Sequence, residues 1–104
     1  AFTLGVTYQT SVEHVKEIPV IIRKIIETIK SVPGVTCDRS HFKAFGAFSL
    51  DFESVYYMPT PEYPKYMDVQ QEINRRIFAE FKNKGIEFAY PTQTIFLDGD
   101  GEKD

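Results

Sequence analysis

The chain has 104 residues, of which 42% are hydrophobic and 14% aromatic, a composition that favours a single folded globular domain. Its formal net charge of −3 resides in residues 98–104, DGDGEKD, which carry four acids and one lysine. The rest of the chain balances 11 basic against 11 acidic side chains, which argues against binding to nucleic acid or to an anionic membrane surface. The single cysteine, Cys37, excludes an intrachain disulfide and a cysteine metal cluster.

The first residues alternate as a strand that is buried on one face, with Phe2, Leu4, Val6 and Tyr8 on one side and Thr3, Gly5, Thr7 and Gln9 on the other. A helix is predicted next, because Thr10 and Glu13 form a capping-box pattern. Its apolar residues recur every three or four positions, at Val15, Ile18, Ile22, Ile25, Ile29 and Val32. Pro19 lies inside this pattern and predicts a kink or a restart near Ile18. The PG pair at 33–34 is expected to end the helix.

The middle of the chain, HFKAFG followed by FSLDFESVYYM, reads as a pair of hairpin strands with Gly46 near the turn. In the second strand one face is predicted to carry Phe48, Leu50, Phe52, Tyr56 and Met58, and the other Asp51, Glu53, Val55 and Tyr57. A second helix is predicted from about Tyr66 to Lys84, with Gly85 as its C-terminal cap. We expect it to bury Val69, Ile73, Ile77 and Phe81, with Phe78 beside them.

The stretch IEFAYPTQTIFL, residues 86–97, reads as two strands that Pro91 separates, since proline cannot donate to a strand ladder. The element order is therefore β-α-β-β-α-β, which predicts an α+β, ferredoxin-like sandwich with two helices on one face of a four-stranded antiparallel sheet. We divide the chain into this domain at 1–91, an extension strand at 92–97 and an acidic, flexible tail at 98–104. The predicted core comprises Ile22, Ile25, Ile29, Phe52, Ile73, Ile77, Phe81 and Phe88.

Paired carboxylates can act as acid and base, and Asp51 and Glu53 share one strand face. No apolar pocket or histidine is evident to separate their pKa values, so we interpret them as a solvated pair. His14 and His41 have no partners that would make a base or a metal site, and we expect no cofactor and no metal. DGDGE at 98–102 is too short for a calcium loop.

The stretch KAFGAFSL, residues 43–50, partly matches the aromatic strand of RNA-recognition domains, which share the predicted topology. Lys43, Phe45 and Gly46 fit that pattern, but alanine replaces the glycine and an aromatic residue. Asp51 and Glu53 on the open sheet face would repel phosphates. We therefore predict that the domain does not bind RNA.

Three stretches together carry a resemblance to a known family: LGVTYQTSVEHVKEIPVIIRKIIE, RSHFKAFGAFSLDFESVYYM and YMDVQQEINRRIFAEFKNKGIEFAYPTQTIFL. They cover nearly all of residues 2–97 and are similar to the C-terminal cytoplasmic domain of small-conductance mechanosensitive (MscS) ion channels. The ending IEFAYPTQT is the most specific part. The resemblance implies a non-enzymatic, soluble piece of a protein of the cell membrane, lying on the cytoplasmic side.

In that family seven subunits form a hollow cytoplasmic cage beneath a pore, which releases ions and small solutes during hypo-osmotic shock. The strand after the YP step joins its six counterparts in a small parallel barrel. The resemblance therefore implies that an oligomer interface is formed by Pro91, Thr92, Gln93, Thr94, Ile95, Phe96 and Leu97.

Two other functions occur on the same topology, and each requires a particular residue in the loop after the first strand. A small-molecule-binding regulatory domain typically has a glycine in the loop after its first strand, and here that loop is QTSVEH. An acyl-phosphate hydrolase needs an arginine in the same loop, which this sequence lacks. The regulatory domain is thus the alternative to a channel domain.

Overall fold

The computed structural model describes residues 1–89. In that part of the chain the elements are, in order, β1 (Phe2–Val6), α1 (Val12–Glu27), β2 (Thr36–Phe45), β3 (Leu50–Tyr57) and α2 (Tyr63–Lys84). The three described strands form one sheet in the order β1-β3-β2. Both outer strands run antiparallel to β3 and are therefore parallel to each other, with α1 as the connection between them. The architecture is α+β, as predicted.

The N-terminus of α1 differs by one residue from the predicted capping box. Ser11 is the N-cap, and its side-chain oxygen accepts a hydrogen bond from the backbone N–H of His14 at 3.1 Å. The hydroxyl of Thr10 instead donates to the carbonyl oxygen of Thr7 at 2.7 Å and so closes the preceding turn. The helix then continues through Pro19 without a restart. The prediction that Thr10 caps the helix was therefore wrong.

The C-terminus of α1 lies earlier than the predicted PG pair, because the helix ends at Glu27 with Thr28 as its C-cap. The hydroxyl of Thr28 donates to the carbonyl oxygen of Lys24 at 2.7 Å. Val32 and Val35 are buried although they lie beyond the helix. The apolar spacing of the sequence thus continued past the helix, because the connection to β2 also packs against the core.

The hairpin of β2 and β3 is confirmed, with the N–H of Gly46 donating to the carbonyl oxygen of Ser49 across the turn. β2 already begins at Thr36, and its pairing with β3 is interrupted by two register shifts. The alternation of β3 is also as predicted, since the side facing the helices is buried at Leu50, Phe52, Ser54 and Tyr56. Phe48, however, lies in the turn and is 54% exposed.

The helix α2 begins three residues before the predicted start, with a proline in its first turn, where the missing N–H has no intrahelical partner to lose. It buries Val69, Ile73, Ile77 and Phe81 as predicted. Gly85 ends it in the left-handed conformation at φ 74° and donates to the carbonyl oxygen of Lys82. The prediction for Phe78 was wrong: this ring is 54% exposed, because it lies about 100° around the helix from Ile77.

The core lies between the two helices and the sheet. Of the predicted core residues, six are buried: Ile22, Ile25, Phe52, Ile73, Ile77 and Phe81. Ile29 and Phe88 are partly buried and pack against this cluster. Val6, Ile18 and Ile26 belong to it as well, each without exposed surface.

The predicted fourth strand, residues 86–90, is present in the described part of the chain only as an isolated antiparallel bridge between Val6 and Phe88. Two backbone hydrogen bonds flank this bridge, from Thr7 N–H to the carbonyl oxygen of Glu87 and from Ala89 N–H to that of Gly5, both at 3.0 Å. The described sheet therefore has three strands, and residues 86–89 lie along the outer side of β1.

Candidate assembly site

The residues predicted to form the oligomer interface, Pro91, Thr92, Gln93, Thr94, Ile95, Phe96 and Leu97, lie outside the described residues, as does the acidic tail. The structure describes the chain up to residue 89, shortly before these residues. We call the outer side of β1, along which residues 86–89 run, the β1 edge. The path of the chain toward Pro91 therefore starts at a sheet edge.

Two apolar side chains hold residues 86–89 at the β1 edge. Ile86 is buried, and its N–H donates to the carbonyl oxygen of Phe81 at 2.9 Å. The ring of Phe88 stacks on that of Phe81, with the ring centroids 5.1 Å apart. The side chains of Ile86 and Phe88 thus hold residues 86–89 against the core. Two backbone hydrogen bonds join this segment to β1.

A groove lies beside this segment between β1 and α2, and we call it the β1–α2 groove. It has a volume of about 190 Å³ and is lined by Phe2, Thr3, Leu4, Asn74, Ile77, Phe78 and Phe88. The exposed ring of Phe78 forms part of its wall, and the ammonium group of Lys82 lies 5.6 Å from the centroid of that ring. Most of the described lining residues are apolar, and Thr3 and Asn74 add polar groups.

At the opposite side of α2, a charged pair that sequence reasoning missed holds the connection between α1 and β2. The carboxylate of Glu72 is almost fully buried and accepts hydrogen bonds from the backbone N–H groups of Lys30 and Ser31, at 3.1 and 3.0 Å. Arg76, one turn further along α2, lies 3.5 Å from the same carboxylate. Burial alone would raise the pKa of Glu72, but the hydrogen bonds from Ser31 and Lys30 and the charge of Arg76 outweigh it and lower the pKa below its ordinary value.

Arg76 itself binds the C-terminal end of α1. Its guanidinium group donates to the carbonyl oxygen of Thr28 at 3.0 Å, to the hydroxyl of Thr28 at 2.7 Å and to the carbonyl oxygen of Ile25 at 3.4 Å. The carbonyl oxygen of Ile25 also accepts from the backbone N–H of Thr28, at 3.2 Å. A cation is favoured at this end of the helix dipole. The i, i+4 spacing of Glu72 and Arg76 is visible in the sequence, but a pair of this spacing is more often found on a solvated face.

The paired carboxylates on the open sheet face have partners that argue against acid–base chemistry. Asp51 accepts a hydrogen bond from the hydroxyl of Ser49. Glu53 lies 3.8 Å from the ammonium group of Lys43 and faces Thr3 across the ladder. Both side chains are half-buried instead of fully solvated, and each is engaged by a different neighbour.

The two histidines lie on different elements, His14 on α1 and His41 on β2. His14 lines an open depression of about 460 Å³ at the loop between β1 and α1, together with Glu87. His41 is exposed on β2 and pairs with Glu53 in the strand register. No group of three or more metal-ligating side chains occurs within residues 1–89. Cys37 is half-buried, and burial raises the pKa of its thiol.

Residues 1–88 match the family described as "Mechanosensitive ion channel MscS, C-terminal". The chain belongs to the MscS family of mechanosensitive channels. It is 40% identical over 101 residues to the large-conductance mechanosensitive channel MscMJLR of Methanocaldococcus jannaschii, which covers 94% of this chain and 28% of that protein.

Two further relatives in this family are similar over the same extent. The small-conductance mechanosensitive channel MscMJ of the same organism is 36% identical over 98 residues, which covers 94% of this chain and 27% of the relative. The low conductance mechanosensitive channel YnaI of Escherichia coli is 24% identical over 99 residues, which covers 92% and 28%. The chain thus spans less than a third of the length of these channels. Neither α1 nor α2, the helices that the structure describes, has the length and apolar content to cross a membrane.

Proposed function

We propose that this MscS-family chain is a wall and assembly domain of the cytoplasmic cage of a mechanosensitive channel, and that residues 92–97 join the subunits. The observation that carries this proposal is that the residues shortly before Pro91 already pack against the core of the described chain. Ile86 is buried, and the ring of Phe88 stacks on that of Phe81. In this proposal the six residues after Pro91 therefore serve assembly and do not cover this core.

In this proposal residues 86–90 complete a four-stranded, ferredoxin-like sheet by taking the outer position beside β1, which the bridge between Val6 and Phe88 supports. Pro91 then ends that ladder, because it has no N–H to donate. Residues 92–97 pair with the same residues of the neighbouring subunits. Closure of the ring then gives hydrogen-bond partners to strand edges that would otherwise be exposed. The family resemblance implies seven copies around the axis of the pore.

The proposed role is mechanical and not catalytic. The full-length protein would open under membrane tension and release ions and small solutes on hypo-osmotic shock, with this domain on the cytoplasmic side of the cell membrane. Among the described residues the candidate acid–base and metal-ligating side chains are dispersed or engaged by other partners. This arrangement supports a structural role for the domain.

The test separates folding from assembly. Removing the residues after Pro91 should leave the isolated domain with a cooperative circular-dichroism melt, because both helices and the β strands remain. In the full-length channel the same deletion should weaken the heptamer, as measured by the mass from light scattering. A deletion that unfolds the isolated domain would show that the removed residues belong to its own core.

A single substitution sharpens this test without shortening the chain. Ile95→Pro removes one N–H donor and strains a strand, so it should weaken the full-length assembly while the isolated domain keeps its melting temperature. Ile95→Val is the matched control, since it keeps the N–H and the preference for strands. Equal masses for both variants of the full-length channel would contradict a strand interface at this position.

The alternative function, a small-molecule-binding regulatory domain, has one observation in its favour. The open depression at the loop between β1 and α1 lies where such domains bind their ligands, and it is lined by polar side chains that include Gln9, Ser11 and His14. The loop has no glycine that would let its backbone approach a ligand closely. The channel role is therefore the better supported of the two.

A further inference from the structure

Two backbone N–H groups and one guanidinium group surround the carboxylate of Glu72. The N–H of Ser31 donates to one carboxylate oxygen at 3.0 Å, and the N–H of Lys30 donates to the other at 3.1 Å. The guanidinium group of Arg76 lies 3.5 Å from the same carboxylate. We call these two N–H groups and the guanidinium group the carboxylate site. Successive N–H groups that converge on one point, with a cation beside them, are a typical arrangement for binding an anion.

The positive charge of the carboxylate site is held in place by the end of α1. Arg76 donates to the carbonyl oxygen of Thr28 at 3.0 Å and to its hydroxyl at 2.7 Å. That hydroxyl in turn donates to the carbonyl oxygen of Lys24 at 2.7 Å. These bonds do not involve Glu72, so the guanidinium group keeps its position when the carboxylate is removed.

The two N–H groups of the carboxylate site belong to a short stretch with exposed side chains. Ile29 and Val32 pack against the core, whereas Lys30 and Ser31 between them are exposed. A stretch with little buried apolar surface opens at a lower free-energy cost than the core beside it. The hydrogen bonds to the buried carboxylate of Glu72 therefore hold residues 30–31 against α2.

We propose that the carboxylate site is an anion-binding site for a carboxylate group, and that Glu72 fills it as a ligand from the same chain. When the side chain of Glu72 is truncated, a small free carboxylate binds in its place. When the site is empty, residues 30–31 open locally while the rest of the domain stays folded. All of these contacts lie within one subunit, so the proposal does not depend on assembly through residues 92–97.

The first test supplies a free carboxylate to an emptied site in the full 104-residue chain. Glu72→Ala removes a CH₂–COO⁻ group, to which acetate corresponds in size. Sodium acetate at neutral pH should therefore raise the melting temperature of this variant saturably. At saturation the rise should exceed the change that the same salt causes in the wild type by about 4 °C or more. Equal acetate effects on the variant and the wild type would overturn the proposal.

Two matched variants separate binding at the carboxylate site from a general effect of the salt. Glu72→Gln is the first control, because its amide group still occupies the site, so acetate should affect it no more than the wild type. Glu27→Ala is the second, since it removes a carboxylate from the exposed face of α1. An acetate response of Glu27→Ala as large as that of Glu72→Ala would contradict the proposal.

The contribution of the guanidinium group can be measured in the same way. Arg76→Gln in the Glu72→Ala background should reduce the acetate response, because the carboxylate site then lacks its positive charge. Lys24→Gln in the same background is the control for charge, since the exposed side chain of Lys24 is not part of the site. Equal responses of these two double variants would show that Arg76 does not bind the anion.

The second test measures local opening by amide hydrogen exchange. In Glu72→Ala the amides of Lys30 and Ser31 should exchange about tenfold faster than in the wild type or more, and acetate should slow them again. The amide of Ile77, inside α2, should stay protected. If the alanine variant does not melt cooperatively, Glu72→Gln provides the same comparison without acetate. Unchanged exchange at Lys30 and Ser31, or an equal acceleration at Ile77, would overturn the proposal.

Discussion

The two sides of α2 hold the chain in different ways. On one side, Glu72 and Arg76 bind the connection between α1 and β2, with two backbone N–H groups on the carboxylate and two carbonyl oxygens on the guanidinium group. On the other side, residues 86–89 lie along the β1 edge with two backbone hydrogen bonds and two apolar anchors. Charged side chains thus fix an internal connection, and a sheet edge holds the segment that leads out of the domain.

This difference separates a connection that is held by contacts within the domain from a segment that leads out of it. After α1, the N–H groups of Lys30 and Ser31 bond to Glu72, and Arg76 bonds to the carbonyl oxygens of Ile25 and Thr28, all within the same domain. At the β1 edge, residues 86–89 bond to Gly5 and Thr7, and they are the last residues that the structure describes before Pro91. In an MscS-family protein this is a suitable point for the chain to leave the domain and take part in assembly, as we propose.

The largest loss of stability is expected for substitutions in the hydrophobic core. Phe52→Ala and Ile77→Ala should each cost roughly 2–5 kcal/mol of unfolding free energy, because each removes a buried side chain from the core cluster. Urea unfolding followed by circular dichroism measures this cost. Val20→Ala, at an exposed apolar position on α1, is the control and should change little. Losses below about 1 kcal/mol at both core positions would mean that the helix and strand faces are wrongly assigned.

The Glu72–Arg76 side should show the next largest effect. Glu72→Gln should cost about 1–3 kcal/mol at neutral pH, because a buried charged acceptor of two N–H groups is replaced by a neutral one. Glu27→Gln is the matched control, since Glu27 pairs with Arg23 at 3.7 Å on the exposed face of α1, where such pairs contribute little. Equal costs for the two variants would show that Glu72 stabilises the fold no more than a surface carboxylate does.

The pH dependence of the Glu72→Gln variant distinguishes the contribution of the carboxylate charge from that of the side chain's shape. The pKa of Glu72 is lower in the folded state than its ordinary value, so its contribution is fully present above the ordinary glutamate pKa and is lost as the pH falls through the lowered folded value. The difference between wild type and Glu72→Gln should therefore shrink in acid. A difference that stays constant between neutral pH and pH about 3 would contradict the role of the ionised carboxylate.

A smaller loss of stability is expected at Gly85, which directly precedes residues 86–89. Gly85→Ala should cost about 1 kcal/mol, because Gly85 has φ 74° and no atom lies within 4 Å of an added Cβ, so that only backbone strain contributes. Gly85→Asn should cost less, since asparagine tolerates the left-handed region. Thermal melts of both variants provide the measurement. An equal loss for alanine and asparagine would show that the left-handed backbone is not the cause.

The smallest effect is expected at the depression near the β1–α1 loop. A thermal-shift screen with amino acids and nucleotides should leave the melting temperature unchanged, because the described part of the lining offers no convergent charged site beyond His14 and Glu87. His14→Ala is the control for any compound that does bind there. A stabilisation of several degrees that His14→Ala removes would favour the regulatory alternative over a purely structural domain.

Much of this fold could be predicted from the sequence. The alternation of β3, the buried stripe of α2 and the glycine cap at Gly85 all appear in the structure as predicted. These features depend on periodicity and on local backbone chemistry, which a sequence displays directly. The end of α1 was predicted too late, because apolar spacing does not distinguish a buried helix from a buried loop such as the one at Val32.

Other features were decided only by the tertiary structure. Ser11 and Thr10 are both suitable caps, and the turn that Thr10 closes with Thr7 leaves the helix start to Ser11. The exposure of Phe78 and the burial of Glu72 depend on what lies beside α2, a groove in one case and free N–H groups in the other. The sequence by itself determined the elements and the family, because these follow from local patterns. The partners of each side chain required the packed chain, because contacts between residues 40 or more positions apart leave no local pattern.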